Sequence, residues 1–225
     1  MEFGIIYDCD GTLIDSEHIA GSVCAEALTK VGWPISMREF NARFNGVPVK
    51  ETWNILRAEL PFDLPPGFNE AINAEIYRRF ETELSVVPGV MEAIHAIEGP
   101  RAVASSTGLV TLKRNLDSTG LSAFFGQHIY SASQVARGKP APDVFLFAAS
   151  QLGLDPAHAL VIEDSVAGVV AALRAGMRVI GFTGACHGAD DIGERLAAAG
   201  ALSVIAEMRE LPGLVAKLRV GGRSP

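Results

Sequence analysis

The fold class follows from Phe3-Gly4-Ile5-Ile6-Tyr7-Asp8-Cys9-Asp10-Gly11, an apolar run closed by two acids and a glycine. The run is short and includes β-branched and aromatic residues, which is typical of a buried strand. Asp and Gly favour turns, so we expect the strand to end at about Tyr7. In an extended segment, Asp8 and Asp10 project to one side and Cys9 to the other.

Similar apolar runs recur along the chain and predict further strands at 101–105, 159–162, 178–182 and 202–205, with 128–131 also strand-like. Amphipathic helical patterns separate them, over 88–98, 108–119, 142–152, 165–175, 189–199 and 207–219. Buried strands that alternate with helices predict a parallel sheet covered on both faces. The predicted fold class is therefore α/β, with a three-layer, Rossmann-like core.

Residues 16–85 depart from this alternation because they contain helical patterns and no convincing strand. The patterns cover 16–31, 36–44, 48–59 and 68–83, and prolines punctuate the segment. We therefore predict two domains. The Rossmann-like core is formed by 1–15 and 86–225, and an inserted α-helical domain by 16–85.

Composition narrows the range of partners. The chain has 26 acids against 19 lysines and arginines, a formal charge of −7, which disfavours binding to nucleic acid or to an anionic membrane. No apolar run approaches the ~18 residues that cross a bilayer, and the N-terminus lacks the basic start of a signal peptide. The three cysteines form no Cys-x-x-Cys pair and indicate reduced thiols, and the scattered histidines do not predict zinc. We therefore expect a cytoplasmic protein, a monomer or a weak homo-oligomer.

Polar residues follow several of the predicted strands. Asp8 and Asp10 follow the first strand, Ser105 to Thr107 the second, and Glu163-Asp164 the strand that starts near 159. Lys139 lies in a loop after 128–131. Because ligands of parallel sheets bind outside the carboxyl ends of the strands, we expect these side chains to share one rim.

Such a group has a definite chemistry. Clustered carboxylates repel one another unless a cation intervenes, and oxygen ligands favour Mg²⁺. Ser105, Lys139 and the amides near Gly108 are suitable donors for a phosphate. One carboxylate of the pair Asp8 and Asp10 could then attack phosphorus while the other handles a proton.

Each cluster taken alone also has a purely structural explanation. Asp8 and Asp10 could be turn acids, Glu163-Asp164 could favour a helix N-terminus, and Lys139 could be a solvated loop lysine. An EF-hand loop fails because its glycine would come too early and Ile19 would occupy the bidentate position. Only the joint pattern predicts a catalytic site.

The segment from Asp8 to Ser16, Asp-Cys-Asp-Gly-Thr-Leu-Ile-Asp-Ser, resembles the first motif of the haloacid dehalogenase superfamily. Ser105, Lys139 and Glu163-Asp164 match the second, third and fourth motifs in order. The resemblance covers essentially the whole chain, with a helical cap where the β-phosphoglucomutase and phosphatase branch carries one.

The resemblance implies a role for each matching residue. Asp8 would attack phosphorus, and Asp10 would protonate the leaving oxygen and then activate water. Mg²⁺ would be held by Asp8, the backbone carbonyl of Asp10 and Asp164, with Glu163 helping directly or through water. The phosphoryl oxygens would be bound by Ser105, Ser106, Lys139 and Gly11.

The resemblance also suggests a substrate-specificity loop between two cap helices. Its candidate residues are Arg43, Asn45, Gly46 and Lys50. A solvated turn is the alternative interpretation of this polar stretch.

Several reactions occur in the superfamily, and departures from its motifs help to choose among them. Asp10 argues against dehalogenases, which lack the second acid, and against phosphonate hydrolases, which replace it with alanine. The mutases usually have a histidine where this chain has Ala20, and Lys-Asn where it has Gly108-Leu109. Residues 181–187 also look like those of a bacterial branch of sugar-phosphate phosphatases.

The expected function is therefore that of a Mg²⁺-dependent phosphatase. It would hydrolyse a small phosphorylated metabolite, a sugar or sugar-acid phosphate, through an aspartyl-phosphate intermediate. A β-phosphoglucomutase-like mutase and a non-enzymatic, receiver-type phosphoacceptor remain as alternatives.

Overall fold

Six strands form one sheet in the computed structural model, which describes residues 3–44, 47, 49–188 and 190–221. In chain order they are β1 (Gly4–Tyr7), β2 (Arg101–Ser105), β3 (Ile129–Ser131), β4 (Ala159–Glu163), β5 (Arg178–Phe182) and β6 (Ser203–Ile205). Their order in the sheet is β3-β2-β1-β4-β5-β6, and every neighbouring pair is parallel. All the predicted strands are confirmed, and their bounds differ from the prediction by one residue at most.

The α-helices follow the predicted alternation. They are α1 (Ser16–Lys30), α2 (Met37–Phe44), α3 (Val49–Glu59), α4 (Phe68–Glu83), α5 (Val90–Ala96), α6 (Leu109–Ser118), α7 (Ser122–Phe125), α8 (Asp143–Gln151), α9 (Val166–Arg174), α10 (Ile192–Ala198) and α11 (Leu211–Gly221). Helices α1 to α4 all lie between β1 and β2, as predicted. None of the described helices is long and apolar enough to span a membrane.

Several short elements differ from the prediction, among them the 3₁₀ helices at Ala132–Gln134 and Pro156–His158. The pattern over 207–219 predicts one helix, but Met208–Glu210 form a 3₁₀ turn before α11 because Glu207 and Glu210 cap each other. Helix α7 was not predicted, since its four residues are too few to show a helical period.

The sheet is buried on both faces because helices pack against each of them. Ile5 and Tyr7 pack into an apolar cluster with α5, α6, α7 and α11, whereas Ile6 packs into a second cluster with α8, α9 and α10. Successive residues of β1 thus point into opposite layers, as the alternation of a strand requires. This arrangement confirms the three-layer, Rossmann-like α/β fold.

The helical segment leaves the sheet and returns to it at adjacent points. Ile14 pairs with Val86 in an antiparallel bridge, and the Asp15 N–H donates to the Ser85 carbonyl at 3.0 Å. Helices α1 to α4 bury an apolar cluster of their own, which includes Leu28, Phe40, Trp53 and Leu56. The two crossings lie at the predicted domain boundaries, and the division into two domains stays a prediction.

Candidate active site

Four chain segments bring the predicted site residues to the carboxyl edge of the sheet. Asp8 follows β1, Ser105 ends β2 and Glu163 ends β4. Lys139 comes from the loop before α8; its Nζ lies 2.6 Å from Oε1 of Glu163 and also contacts Oδ1 of Asp8. The acids, the hydroxyl and the lysine therefore do share one rim.

Lys139 lies in the interior of this cluster. Only 4% of its side chain is exposed, and its Nζ lies 4.8 Å from the centre of the Phe145 ring. Burial opposes the charge of the ammonium, but the carboxylates of Asp8 and Glu163 outweigh burial and raise the pKa of Lys139. The lysine is therefore a permanent positive charge between two acids.

Asp8 is buried beside this charge. Burial raises the pKa of Asp8 to about 8; Lys139 opposes the rise, and the carboxylates of Glu163 and Asp10 add to it. Its Oδ1 accepts from Lys139, whereas no hydrogen bond between described residues reaches its Oδ2. One oxygen of this carboxylate is thus held in place, and the other has no protein donor in the described part of the chain.

Asp10 is held by hydroxyl groups. Its Oδ1 accepts a hydrogen bond of 2.8 Å from Ser16. Its Oδ2 accepts bonds of 2.7 Å from Thr107 and 3.3 Å from Ser105. The carbonyl of Thr107 in turn accepts a 2.6 Å bond from Ser131. Asp8 and Asp10, two residues apart, therefore have donors of different chemistry.

Sequence reasoning did not assign a site role to Ser16 or Thr107. Both belong to the motif segments of the sequence, since Ser16 closes the first motif and Thr107 follows Ser105-Ser106. For Thr107 the signal is the parallel topology, which places the end of β2 next to the end of β1.

Glu163 is fixed by the start of α9. Both the N–H and the hydroxyl of Ser165 donate to its Oε2 at 2.8 Å. The Ser165 hydroxyl also accepts from the Gly168 N–H at 3.1 Å and so caps the N-terminus of α9. A Cβ added at Gly168 would lie 1.8 Å from Cδ of Glu163, and only glycine leaves room for this carboxylate.

The Asp164 carboxylate lies against Gly11 at the same carboxyl edge of the sheet. Gly11 has φ +73°, and a Cβ added there would lie 2.2 Å from Oδ2 of Asp164. Burial, together with the charges of Glu17, Glu163 and Asp8, raises the pKa of Asp164. Glu17 was also missed as a neighbour of the site.

The positive φ and the close approach of Asp164 explain why residue 11 is a glycine. The Gly11 N–H donates to the Ile14 carbonyl at 2.9 Å and is therefore engaged within the turn. Ser106 is exposed at the rim. The predicted phosphate contacts of both residues stay predictions.

The candidate cap residues are not brought to the acids by any described contact. Arg43 pairs with Glu59, and its guanidinium lies 4.9 Å from the centre of the Phe44 ring. Asn45 and Gly46 lie outside the described residues, as does the side chain of Lys50. Their role in substrate specificity stays a prediction.

The donor set fits a hard cation. Asp8, Glu163 and Asp164 offer carboxylate oxygens, which Mg²⁺ prefers over nitrogen or sulfur. Across the part of the chain that the structure describes, no three side chains from His, Cys, Asp and Glu form a ready ligand group.

The protein belongs to the class of α/β proteins with a parallel sheet. Clustered acids, a buried lysine and hydroxyls lie at the carboxyl edge of this sheet. The model of the haloacid dehalogenase-like hydrolases matches residues 4–176, and the chain belongs to this family. The resemblance seen in the sequence is confirmed.

Known proteins agree with this assignment. A phosphorylated carbohydrates phosphatase of Thermotoga maritima is 31% identical over 205 residues, covering 89% of this chain and 93% of the relative. The 6-phosphogluconate phosphatase of Escherichia coli is 28% identical over 184 residues, covering 81% and 83%. A crystal structure of a haloacid dehalogenase-like protein of unknown function from Agrobacterium tumefaciens superposes with a TM-score of 0.92 at 38% identity, covering 97% of this chain and all of that one.

The chain is thus an enzyme of the phosphatase kind within a family of hydrolases. The predicted enzyme class is confirmed, and the alternative of a non-enzymatic receiver is not retained.

The tight approach at Gly168 gives a first prediction. We expect Gly168→Ala to lower the free energy of unfolding by about 1–3 kcal/mol, because the new methyl displaces the Glu163 carboxylate from Lys139 and Ser165. Urea denaturation measures the change. Gly213→Ala is the matched control, since a Cβ at this helical glycine meets nothing within 4 Å. A Gly168→Ala protein as stable as the wild type would contradict the prediction.

Proposed function

We propose that the protein is a Mg²⁺-dependent phosphomonoesterase that acts on a small sugar or sugar-acid phosphate through an aspartyl-phosphate intermediate. The observation that carries the proposal is the buried contact of Lys139 with Asp8 and Glu163, beside the hydroxyl-bound Asp10. Phosphoryl transfer needs mainly positioning and charge stabilisation, and this group supplies both.

Asp8 is the nucleophile in this proposal. Its Oδ1 is oriented by Lys139, which leaves Oδ2 to form a bond with phosphorus as the bond from phosphorus to the ester oxygen breaks. Lys139 offsets part of the negative charge that would otherwise repel an anionic phosphate. Lys139 and the hydroxyls of Ser105 and Ser106 bind the phosphoryl oxygens.

Asp10 is the general acid and then the general base. In the first step its proton goes to the leaving ester oxygen and the alcohol departs. In the second step Asp10 takes a proton from water, whose oxygen attacks phosphorus; inorganic phosphate leaves and the Asp8 carboxylate is restored. The hydroxyls of Ser16 and Thr107 keep the Asp10 carboxyl beside the reacting atoms.

Asp8, the carbonyl of Asp10 and Asp164 would hold Mg²⁺, with Glu163 bound directly or through water. When bound, the ion neutralises charge between the nucleophile and the phosphate and polarises the phosphoryl oxygens. The raised pKa values of Asp8 and Asp164 support this, because burial and the neighbouring carboxylates disfavour their charged forms, which a bound cation would favour.

The substrate class is supported by the names of the two curated relatives, which act on phosphorylated carbohydrates and on 6-phosphogluconate. The proposal extends that chemistry to this chain. Ala20 and Gly108-Leu109, where mutases usually have a histidine and Lys-Asn, favour hydrolysis over isomerisation.

Replacing the nucleophile tests the mechanism. We expect Asp8→Asn to lower kcat by about 10⁴-fold or more, because no other carboxylate can form the acyl phosphate. Phosphate release gives the rate, and rapid-quench mass spectrometry of the wild type locates the phosphoryl group. Asp143→Asn is the control, since Asp143 pairs with the exposed Arg137 and has no described contact with the acids of the rim. A wild-type rate for Asp8→Asn, or a label on another residue, would refute the mechanism.

Metal removal tests the cofactor. We expect EDTA to abolish turnover and MgCl₂ to restore it, with Asp164→Asn raising the Mg²⁺ concentration for half-maximal activity by about 10-fold or more. Titrations of phosphate release against MgCl₂ measure both. Asp190→Asn, at an exposed acid paired with Arg38, serves as the control. Full activity in EDTA would exclude the proposed metal dependence.

A substrate panel separates the phosphatase from the mutase. We expect phosphate release from sugar and sugar-acid phosphates to exceed isomerisation of β-glucose 1-phosphate, assayed with a hexose bisphosphate, by at least about 10²-fold. Product analysis by ³¹P NMR distinguishes the two reactions. Isomerisation faster than phosphate release would instead support the mutase.

A further inference from the structure

The loop that follows β5 contacts the start of α1 through a histidine. Nε2 of His187 lies 2.8 Å and 3.0 Å from the two carboxylate oxygens of Asp15. The ring of His187 also meets the ring of His18 edge to face, with centroids 5.1 Å apart. The side chains of His187 and Asp15 are 30% and 23% exposed, so this contact is only partly screened by water.

Asp15 is held at a junction of the chain. It stands immediately before α1, where its side chain makes no capping hydrogen bond to the helix. Its N–H donates to the Ser85 carbonyl on the segment that returns from the helices to the sheet. The backbone of Asp15 is therefore fixed by one crossing of the chain and its carboxylate by His187.

The residue after this junction touches the site. Ser16 begins α1, and its hydroxyl donates to Oδ1 of Asp10 at 2.8 Å. Because Ser16 directly follows Asp15, a change in the position of Asp15 changes where this hydroxyl points. A line of contacts thus runs from His187 through Asp15 and Ser16 to the proposed acid and base.

The same loop packs closely against α2 at the residue next to His187. Gly188 has φ +141°, and a Cβ added there would lie 2.5 Å from the Arg38 carbonyl. Arg38 pairs with Asp190 at 2.7 Å, but these side chains are 69% and 83% exposed, respectively, and such pairs contribute little to stability. Among the described contacts of this loop, the partly buried bond from His187 to Asp15 is the one that leads to Asp10 through Ser16.

We propose that His187 is a positioning residue for the hydrolytic reaction. Through Asp15 it fixes the start of α1, so that Ser16 holds Asp10 in the orientation in which it exchanges protons with the leaving oxygen and with water. His187 does not touch the reacting atoms. This inference rests on the proposed function, because it assumes that Asp10 is the acid and base.

The chemistry of the bond selects the test variants. Nε2 must carry a hydrogen to donate to the Asp15 carboxylate. His187→Leu removes the donor and replaces the ring with an apolar side chain. His187→Gln instead places an amide N–H at a similar distance from the backbone. Arg38→Ala is the matched control, since it breaks the exposed contact of the same loop.

We expect His187→Leu to lower kcat for a sugar phosphate that the wild type hydrolyses by about 10- to 100-fold, with KM changed less than about twofold. His187→Gln should recover most of kcat, and Arg38→Ala should stay within about twofold of the wild type. Single-turnover formation of the phosphoenzyme should slow less with p-nitrophenyl phosphate, whose leaving group departs without a proton, than with the sugar phosphate.

A double variant tests the route through Ser16. If His187 acts through that hydroxyl, His187→Leu in a Ser16→Ala background should cause little further loss of kcat. The inference would be overturned if His187→Leu slowed phosphoenzyme formation equally with both substrates, or if it changed KM alone. It would also be overturned if His187→Gln did not recover kcat, or if the losses of kcat in the double variant were fully additive. Failure of the proposed function is a separate result, because the wild type would then release no phosphate or would carry no label on Asp8.

Discussion

The site depends on one interaction, the buried contact of Lys139 with the carboxylates of Asp8 and Glu163. Taking the lysine away would leave two carboxylates in the interior without their counter-charge, which costs far more than breaking a surface ion pair does. The surrounding residues serve this contact. The N–H and the hydroxyl of Ser165 both donate to Oε2 of Glu163, the oxygen that does not contact Lys139. Gly168 leaves the space in which the carboxylate lies. The lysine therefore organises the site before any phosphate or metal is bound.

The sheet sets the geometry of this contact. β1 and β4 are adjacent and parallel, with Tyr7 opposite Ile162. The ladder continues one residue past the strand, since the Asp8 N–H donates to the Ile162 carbonyl at 2.9 Å. The proposed nucleophile is thus fixed by backbone hydrogen bonds and not by a loop. Its position has the precision of the strands, which suits a group that must meet phosphorus in line.

Sequence patterns predicted the elements and the meeting of the acids, because both follow from local period and parallel topology. The run from Phe3 to Tyr7 needed only strand alternation, and the order of strand ends then put Asp8, Ser105 and Glu163 on one rim. What the patterns missed depends on contacts between distant side chains. The pairing of Arg43 with Glu59 is of this kind, and so is the bond of Thr107 to Asp10. The collision that a Cβ at Gly168 would cause is likewise invisible without the position of Glu163.

The two acids of the first motif are supported by different parts of the molecule, and this has a mechanical consequence. Asp8 is held by the sheet and Lys139. Asp10 takes its shortest bonds from Thr107 after β2 and from Ser16 at the start of α1. A displacement of α1 relative to the sheet therefore disturbs Asp10 and leaves Asp8 in place. Attack on phosphorus and transfer of the proton can thus respond separately to the position of the helical segment, although the two carboxylates lie only two residues apart.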